Sequence, residues 1–282
     1  MHLPAGVSRA VVVPVAGRLL VLGGLRAGDV TTDQVWSVDV SAHATTVAGH
    51  LALAVHDACG VVLRGKAFVF GGGAAQTVAA VQEFSSGHAR VVGALPQPRS
   101  DSSCAQIGAT GYVVGGFDGH TMTRDVLATT DGVHFRVVAR LPVGVRYPAV
   151  TAVGDRYLVV AGGALATTEG TANGPQTSDV QRVDTVTGNV VIATHLSHAL
   201  AHATGIDVDG KSVVVGGRLH ATATAAVQWV EPTIPLVLRL GSLPTALSDA
   251  AAVTLGGTSY VVGGETTGPA APVATVLALR LV

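Results

Sequence analysis

The sequence predicts an all-β fold built from six repeats. A Gly-Gly pair follows a run of apolar, mainly β-branched residues six times, with first glycines at Gly23, Gly71, Gly115, Gly162, Gly216 and Gly263. The steps between these glycines are 48, 44, 47, 54 and 47 residues. A repeat of about this length is the size of one four-stranded propeller blade. We therefore predict a six-bladed β-propeller of four-stranded antiparallel blades.

Each repeat begins at a leucine, usually as Leu-Pro, and continues through a short loop into two strands joined by a glycine turn. The second strand is continuously apolar, as in residues 112–114, which is typical of a strand covered on both faces. The Gly-Gly pair ends it where neighbouring blades crowd or where φ is positive. Two weaker strands follow, exemplified by residues 35–39 and 45–49, and they alternate as half-buried outer strands do.

The repeats run nearly from end to end without a linker, so we expect residues 1–282 to form a single domain. The last blade is expected to be incomplete. Only one strand, residues 273–281, follows Gly264, and only Met1 and His2 precede Leu3. The last blade therefore has three strands or takes a fourth from a segment upstream of Met1.

Composition excludes several classes of partner. The formal charge is −1, and no run of basic residues is present, so nucleic-acid binding is not expected. No apolar stretch reaches the roughly 18 residues that a transmembrane helix needs. The first seven residues lack the features of a signal peptide. We expect a monomer with no transmembrane segment in this chain.

The two cysteines, Cys59 and Cys104, fall on the same strand of neighbouring repeats. They could bridge in an oxidising compartment, or they could be two separately buried thiols. A disulfide would favour an extracytoplasmic or cell-surface location, reached through an upstream signal or anchor.

The Gly-Gly pairs resemble kelch repeats when they are taken with Trp36, Trp229 and the segment Pro98 to Ser103. The resemblance covers all six repeats and implies a kelch-type propeller.

The sequence has fifteen arginines and only two lysines, Lys66 and Lys211, a bias typical of a GC-rich bacterial genome. Where such propellers bind ligands, the resemblance places them at the mouth formed by the loops before the first strand and after Gly-Gly.

Alignment of the repeats on their leucines brings one set of residues to an equivalent position: Arg9, Asp57, Asp101, Tyr147, His202 and Asp249. One residue earlier, the set includes His56 and Arg146, and two residues earlier Arg99 is the only charged member. This concentration of charge has two interpretations. The residues either pair with one another across blades or bind a ligand, and Arg99 and Arg146 favour a ligand because arginine suits carboxylates.

Neither a metal nor another cofactor is expected. The histidines and aspartates of this set are metal-ligating types, but positions spread around a ring converge poorly on one ion. No G-x-S-x-G motif is present, so no catalytic residue is predicted. We call each Gly-Gly pair a doublet. The loop from Ala164 to Ser178 is the longest after a doublet, and it is a candidate either for recognition or for a tolerated insertion.

These observations predict a non-enzymatic recognition module that holds a protein or a cell-envelope glycan at the loop-bearing mouth. Its ligand-binding set would be Arg99, Arg146, Asp57, Asp101, Tyr147, His202, Asp249, Arg9 and His56, with the two arginines exposed towards an anionic or glycan partner. The alternative is an enzyme resembling the bacterial kelch-type sialic acid mutarotases, which would use the same groups for proton transfer.

Overall fold

The structure is a computed structural model that describes residues 1–165, 174–266 and 271–280. These residues form strands, turns and loops, and none of them lies in a helix, which confirms the all-β prediction. Consequently, none of the described segments supplies a helix that could span a membrane.

The first two repeats contain ten strands. In chain order they are β1 (Val11–Val15), β2 (Arg18–Leu22), β3 (Leu25–Arg26), β4 (Val30–Thr31), β5 (Gln34–Asp39), β6 (Ala44–His50), β7 (Cys59–Leu63), β8 (Lys66–Phe70), β9 (Ala80–Ser85) and β10 (His88–Ala94). The next two repeats contribute four strands each. They are β11 (Ser103–Ile107), β12 (Thr110–Val114), β13 (Asp125–Thr129), β14 (Arg136–Arg140), β15 (Ala149–Val153), β16 (Tyr157–Ala161), β17 (Asp179–Asp184) and β18 (Val190–His195).

The last two repeats contribute nine strands. They are β19 (Thr204–Val208), β20 (Lys211–Val215), β21 (Arg218–Leu219), β22 (Thr222–Ala223), β23 (Ala226–Glu231), β24 (Leu236–Ser242), β25 (Ala251–Leu255), β26 (Thr258–Val262) and β27 (Val276–Leu279). Within each repeat, consecutive long strands pair antiparallel. The short pairs β3/β4 and β21/β22 are hairpins that follow a Gly-Gly pair.

The sheets form a propeller-like arrangement, but they differ from the predicted six separate four-stranded blades. Repeats three, four and five each form a four-stranded sheet, whereas repeats one and two share an eight-stranded sheet. A single parallel bridge between His50 and His88 joins their outer strands β6 and β10. Within the described residues, the sixth repeat forms a three-stranded sheet of β25, β26 and β27.

The first strands of the repeats lie side by side around a central channel. Strand β1 contacts β7, and the contacts continue through β11, β15 and β19 to β25, which in turn contacts β1. The second strands are buried along most of their length, as the apolar pattern predicted. Apolar clusters fill the spaces between neighbouring repeats, and one of them joins β1 and β2 to β25 and β26. The core is therefore divided among the interfaces between repeats.

The Gly-Gly pairs fix each repeat to the next. The second glycine donates its N–H to a carbonyl of the following repeat, as Gly72 does to Arg99 at 2.8 Å, and Gly264 donates to Val7 at 2.9 Å. The first glycine has positive φ, and a Cβ on Gly71 would lie 2.1 Å from the Arg99 carbonyl oxygen. Both predicted reasons for the doublet, crowding and positive φ, are confirmed.

The chain start contributes to the last sheet. Met1 and Val276 exchange backbone hydrogen bonds, and the N–H of Leu3 donates to the Ala274 carbonyl at 2.7 Å. These contacts place residues 1–3 beside the beginning of β27. The first repeat is thereby attached to the sixth both at the inner strands and at the outer edge.

Cys59 on β7 and Cys104 on β11 are joined by a disulfide, with their Cα atoms 5.3 Å apart. The bond links the inner strands of repeats two and three. It closes a loop with a sequence separation of 45 residues. Such a crosslink limits the conformations of the unfolded chain.

Replacement of Gly71 by alanine is expected to destabilise the fold strongly, because the new Cβ meets a backbone oxygen that cannot move independently. Gly17→Ala is the matched control, since Gly17 also has positive φ but has no atom within 4 Å of a new Cβ. We expect the control to lose about 1–2 kcal/mol from backbone strain alone and Gly71→Ala to lose more. Urea denaturation measures both, and equal losses would contradict the crowding.

Removal of the disulfide in a Cys59→Ala, Cys104→Ala double variant is expected to lower the free energy of unfolding by roughly 2–4 kcal/mol. Denaturant melts of the two proteins, each with and without reductant, measure this loss. Reductant should destabilise only the unsubstituted protein. A reductant effect of equal size in the double variant would show that the crosslink is not its cause.

Candidate functional site

The six residues aligned by the repeats form a cyclic chain of backbone hydrogen bonds. Each N–H donates to the carbonyl of the preceding member, as Asp57 does to Arg9 at 3.1 Å and Asp101 to Asp57 at 2.8 Å. The chain closes where Arg9 donates to Asp249 at 2.9 Å. All six have φ between 51° and 59°, in the left-handed region. We call Arg9, Asp57, Asp101, Tyr147, His202 and Asp249 the ring residues.

Around Asp249 the ring residues form a buried network of ion pairs. Arg218, which directly follows the fifth doublet, donates to Asp249 Oδ2 at 2.9 Å and also pairs with Glu265. Glu265 is fully buried and accepts from Ser8 at 2.7 Å. Arg9 lies 3.4 Å from Glu265 and 3.1 Å from Asp57. The guanidinium groups of repeats one and five therefore form salt bridges with carboxylates of repeats two and six.

Asp101 lies in a different environment on the other side of the ring. The Nε of Arg146 donates to Asp101 Oδ2 at 2.5 Å. The Oδ1 atom of Asp101 is buried and has no hydrogen-bond partner among the described residues. The Tyr147 ring stacks on His202 at 3.9 Å, and the Tyr147 hydroxyl donates to Asp57 at 3.3 Å. Asp101 is thus the ring carboxylate with an incompletely satisfied side chain.

The environments of the ring carboxylates separate their pKa values. Burial, together with the negative charge of Asp57, raises the pKa of Asp101 to about 7, although Arg146 opposes the shift. Burial alone would raise the pKa of Asp249, but His202, Arg9 and Arg218 hold it below its usual range. Burial and the charge of Asp249 raise the pKa of Glu265. Burial likewise raises the pKa of Tyr147.

Arg99 does not join this network. Its Nη1 atom donates to the carbonyl oxygens of Gly115 and Asp125 at 3.3 and 2.9 Å, and the residue is 1% exposed. Burial lowers its pKa to about 10. Arg146 is also buried, at 3% exposure. The expectation that both arginines are exposed at the mouth is wrong, because one turns into the interface between repeats and the other pairs with Asp101.

His56 lies at the edge of the ring, where Nδ1 is 2.9 Å from the Thr31 hydroxyl and Nε2 is 3.6 Å from Asp57. Arg218 and Glu265, which were expected at the mouth but were absent from the predicted binding set, also belong to the buried network. The signal for them is their place directly after a doublet, where each forms a backbone bridge to the residue preceding a ring residue. Within the described residues, no group of His, Cys, Asp and Glu side chains is arranged to hold a metal ion.

Two cavities adjoin the ring. One, of about 160 Å³, lies along the channel among all six ring residues and the small side chains of the inner strands. The other, of about 550 Å³, lies on the loop-bearing face between repeats two and three, and we call it the mouth cavity. It is lined by His56, Asp57, Gly73, Ala74, Ala75, Gln76, Thr77, Pro98, Ser100, Asp101, Phe117, Asp118, Gly119 and His120.

Residues 166–173 of the candidate recognition loop from Ala164 to Ser178 lie outside the described residues. Its described ends lie on the same face, because Ala164 bridges to Arg146 and to Gln176. The backbone N–H of Leu165 also donates to the Pro175 carbonyl at 2.8 Å. The loop's role stays a prediction.

Comparison with solved structures identifies a similar fold. This chain resembles YjhT. The two structures align with a TM-score of 0.81 at 13% sequence identity, over 98% of this chain and 95% of the YjhT chain. No protein-family model and no curated protein sequence matches the chain. The similarity to YjhT therefore establishes a β-propeller-like fold, and membership of the kelch family stays a prediction.

The raised pKa of Asp101 predicts a specific pH dependence of stability. The folded protein keeps the Asp101 proton up to about pH 7, whereas the unfolded chain releases it near pH 4. The unfolded state therefore binds fewer protons across this interval, so the contribution of Asp101 to stability falls as pH rises towards 7. Compared with an Asp101→Asn variant, the protein should lose up to about 1.4 kcal/mol more per pH unit between pH 5 and 7.

Urea denaturation at pH 5, 6, 7 and 8 measures this difference. Asp184→Asn is the matched control, because an Arg156 hydrogen bond holds the pKa of Asp184 below its usual range, so that carboxyl stays ionised throughout. The control should shift stability equally at each pH. Parallel pH profiles for the unsubstituted protein and Asp101→Asn would show that Asp101 titrates normally.

Proposed function

We propose that this protein is a non-enzymatic recognition module that binds a protein or a cell-envelope glycan at its loop-bearing mouth. The mouth cavity carries the proposal, because its walls combine two loops that follow doublets with the ring residues Asp57 and Asp101. Its volume of about 550 Å³ is within the range of ligand pockets. Loops held on a rigid scaffold of strands present such a surface without rearrangement.

The state of the charged groups favours binding over proton transfer. An arginine that orients a sugar acid must be free to pair with the carboxylate of that substrate. Arg9, Arg146 and Arg218 are all mostly buried and are engaged by ring carboxylates or Glu265. Their ion pairs hold the repeats together, and a substrate would have to displace them.

An enzyme similar to sialic acid mutarotases is the second candidate. The fold similarity to YjhT fits this alternative. The combination of arginine, histidine, tyrosine and carboxyl groups around one axis also supports it, since proton transfer on a sugar acid uses such groups. The acidic lining of the mouth cavity opposes it, because a sugar carboxylate would be repelled there.

We further propose that the six repeats are six blades of one ring and that the protein works as a monomer outside the cytoplasm of a bacterium. The cyclic hydrogen bonds of the ring residues support the blade count. The disulfide supports the location, because such bonds persist in oxidising compartments.

The purified protein can be tested against arrays of peptides and glycans, with hits quantified by calorimetry. A Gln76→Ala, His120→Ala double variant removes two exposed side chains from the mouth cavity. We expect it to weaken binding at least about tenfold, because losing two contacts costs more than 1.4 kcal/mol. His220→Ala, on the same face but outside the mouth cavity, is the matched control and should bind normally.

The same preparation can be added to sialic acid while NMR follows interconversion of the anomers. We expect no acceleration over buffer. Acceleration that is lost in an Arg146→Lys variant of unchanged stability would overturn the recognition module and support the enzyme.

A further inference from the structure

The charged side chains that line the mouth cavity are acidic, and this bias favours a cationic partner; the inference rests on the recognition function proposed above. Its lining includes the carboxylates of Asp57, Asp101 and Asp118, whereas none of the described lining residues is an arginine or a lysine. We propose that the mouth cavity receives the guanidinium or ammonium group of an arginine or lysine side chain from a partner protein.

Asp101 supplies an observation independent of the carboxylate count. Its side chain is 1% exposed, and its Oδ1 atom has no hydrogen-bond partner within the described ranges. A buried polar atom without a partner is costly, so it is a site where a ligand donor gains free energy. A cation near this oxygen also favours the ionised form of the carboxyl, which burial disfavours.

The charges behind the cavity leave Asp118 as the lining carboxylate that no described arginine pairs with. Asp57 pairs with Arg9, and Asp101 pairs through Oδ2 with Arg146, so both carry a compensating cation on the ring side. Asp118 lies at the rim, where its Oδ1 atom accepts from the backbone N–H groups of His120 and Thr121. Those hydrogen bonds lower the pKa of Asp118 below its usual range, so that its negative charge is retained in mildly acidic solution.

The remaining walls suit a long side chain with a cationic end. Phe117 and Pro98 offer apolar surface for an aliphatic stem. The Phe117 ring already contacts one cation, because the Arg146 guanidinium lies 4.4 Å from the ring centre. The hydroxyls of Thr77 and Ser100, 3.2 Å apart, offer further acceptors. A neutral glycan would bring no positive charge to Asp118 at the rim, which is why we favour a basic protein segment.

The test compares two N-acetylated, C-amidated tripeptides, Gly-Arg-Gly and Gly-citrulline-Gly, by NMR titration of the labelled protein. Citrulline has nearly the shape of arginine but no charge. We expect at least about tenfold tighter binding of the arginine peptide, because a charge-assisted hydrogen bond to a buried carboxylate is lost with citrulline. The shifted resonances should include Gly73, Phe117 and His120.

Two variants locate the charge that matters. Asp101→Asn should remove most of the preference for arginine over citrulline. Asp118→Asn, which keeps an acceptor for the rim backbone, should reduce it about threefold and guards against instability of the first variant. Asp184→Asn, at a partly exposed carboxylate outside the cavity, is the matched control and should leave the preference unchanged.

The outcomes separate the two proposals. Equal affinity for the two peptides, or a preference that survives both Asp101→Asn and Asp118→Asn, would overturn the cationic partner. Glycan binding that depends on Gln76 and His120 without arginine-peptide binding would also overturn it, but would leave the recognition module standing. Failure of every peptide and glycan at this face would overturn both.

Discussion

The cyclic chain of backbone hydrogen bonds among the ring residues is the constraint on which the rest of the structure depends. Each hydrogen bond joins one repeat to the next, and the last returns from Arg9 to Asp249. The geometry requires positive φ at six non-glycine positions, which costs about 1–2 kcal/mol each for an ordinary residue. Aspartate and histidine tolerate this conformation better than most residues. Four of the six are of these types, so their identity follows partly from backbone geometry and does not require a ligand.

The ring places several buried carboxylates close together around one axis, and the arginines neutralise them unequally. Arg9 and Arg218 both pair with Asp249 and Glu265, so the two carboxylates of the sixth repeat share two cations. Asp101 is left with Arg146 on one oxygen and no described partner on the other. The opposite pKa shifts of Asp249 and Asp101 express this unequal sharing.

The repeat pattern was sufficient to predict where residues lie along the chain, but it was insufficient to predict where their side chains point. Counting from each leucine gave all six ring residues, and the doublets gave the crowded contacts between repeats. The same counting put Arg99 at the mouth, because register carries no information on burial, and the side chain turns inward to two carbonyls.

Other features depend on contacts that only the folded chain provides. The eight-stranded sheet results from a single bridge between β6 and β10. The buried Gln82 and Gln181 bind the backbones of Leu53 and Val143 in equivalent interfaces, and no motif marks them. Such long-range contacts have no local sequence signal, since a glutamine is most often a surface residue.

The residue directly after each doublet differs among the repeats, and two such residues, Gly73 and Phe117, line the mouth cavity. In repeats five and six this residue is Arg218 or Glu265, and the pair fills its part of the mouth with buried ion pairs. In repeat two it is Gly73, which has no side chain and lines the mouth cavity. In all three cases this residue forms a backbone bridge to the residue preceding a ring residue. The bridges join Arg218 to Ala201, Glu265 to Ser248 and Gly73 to His56. The cyclic hydrogen bonds therefore persist with different side chains at this position, which separates what stabilises the fold from what lines the mouth.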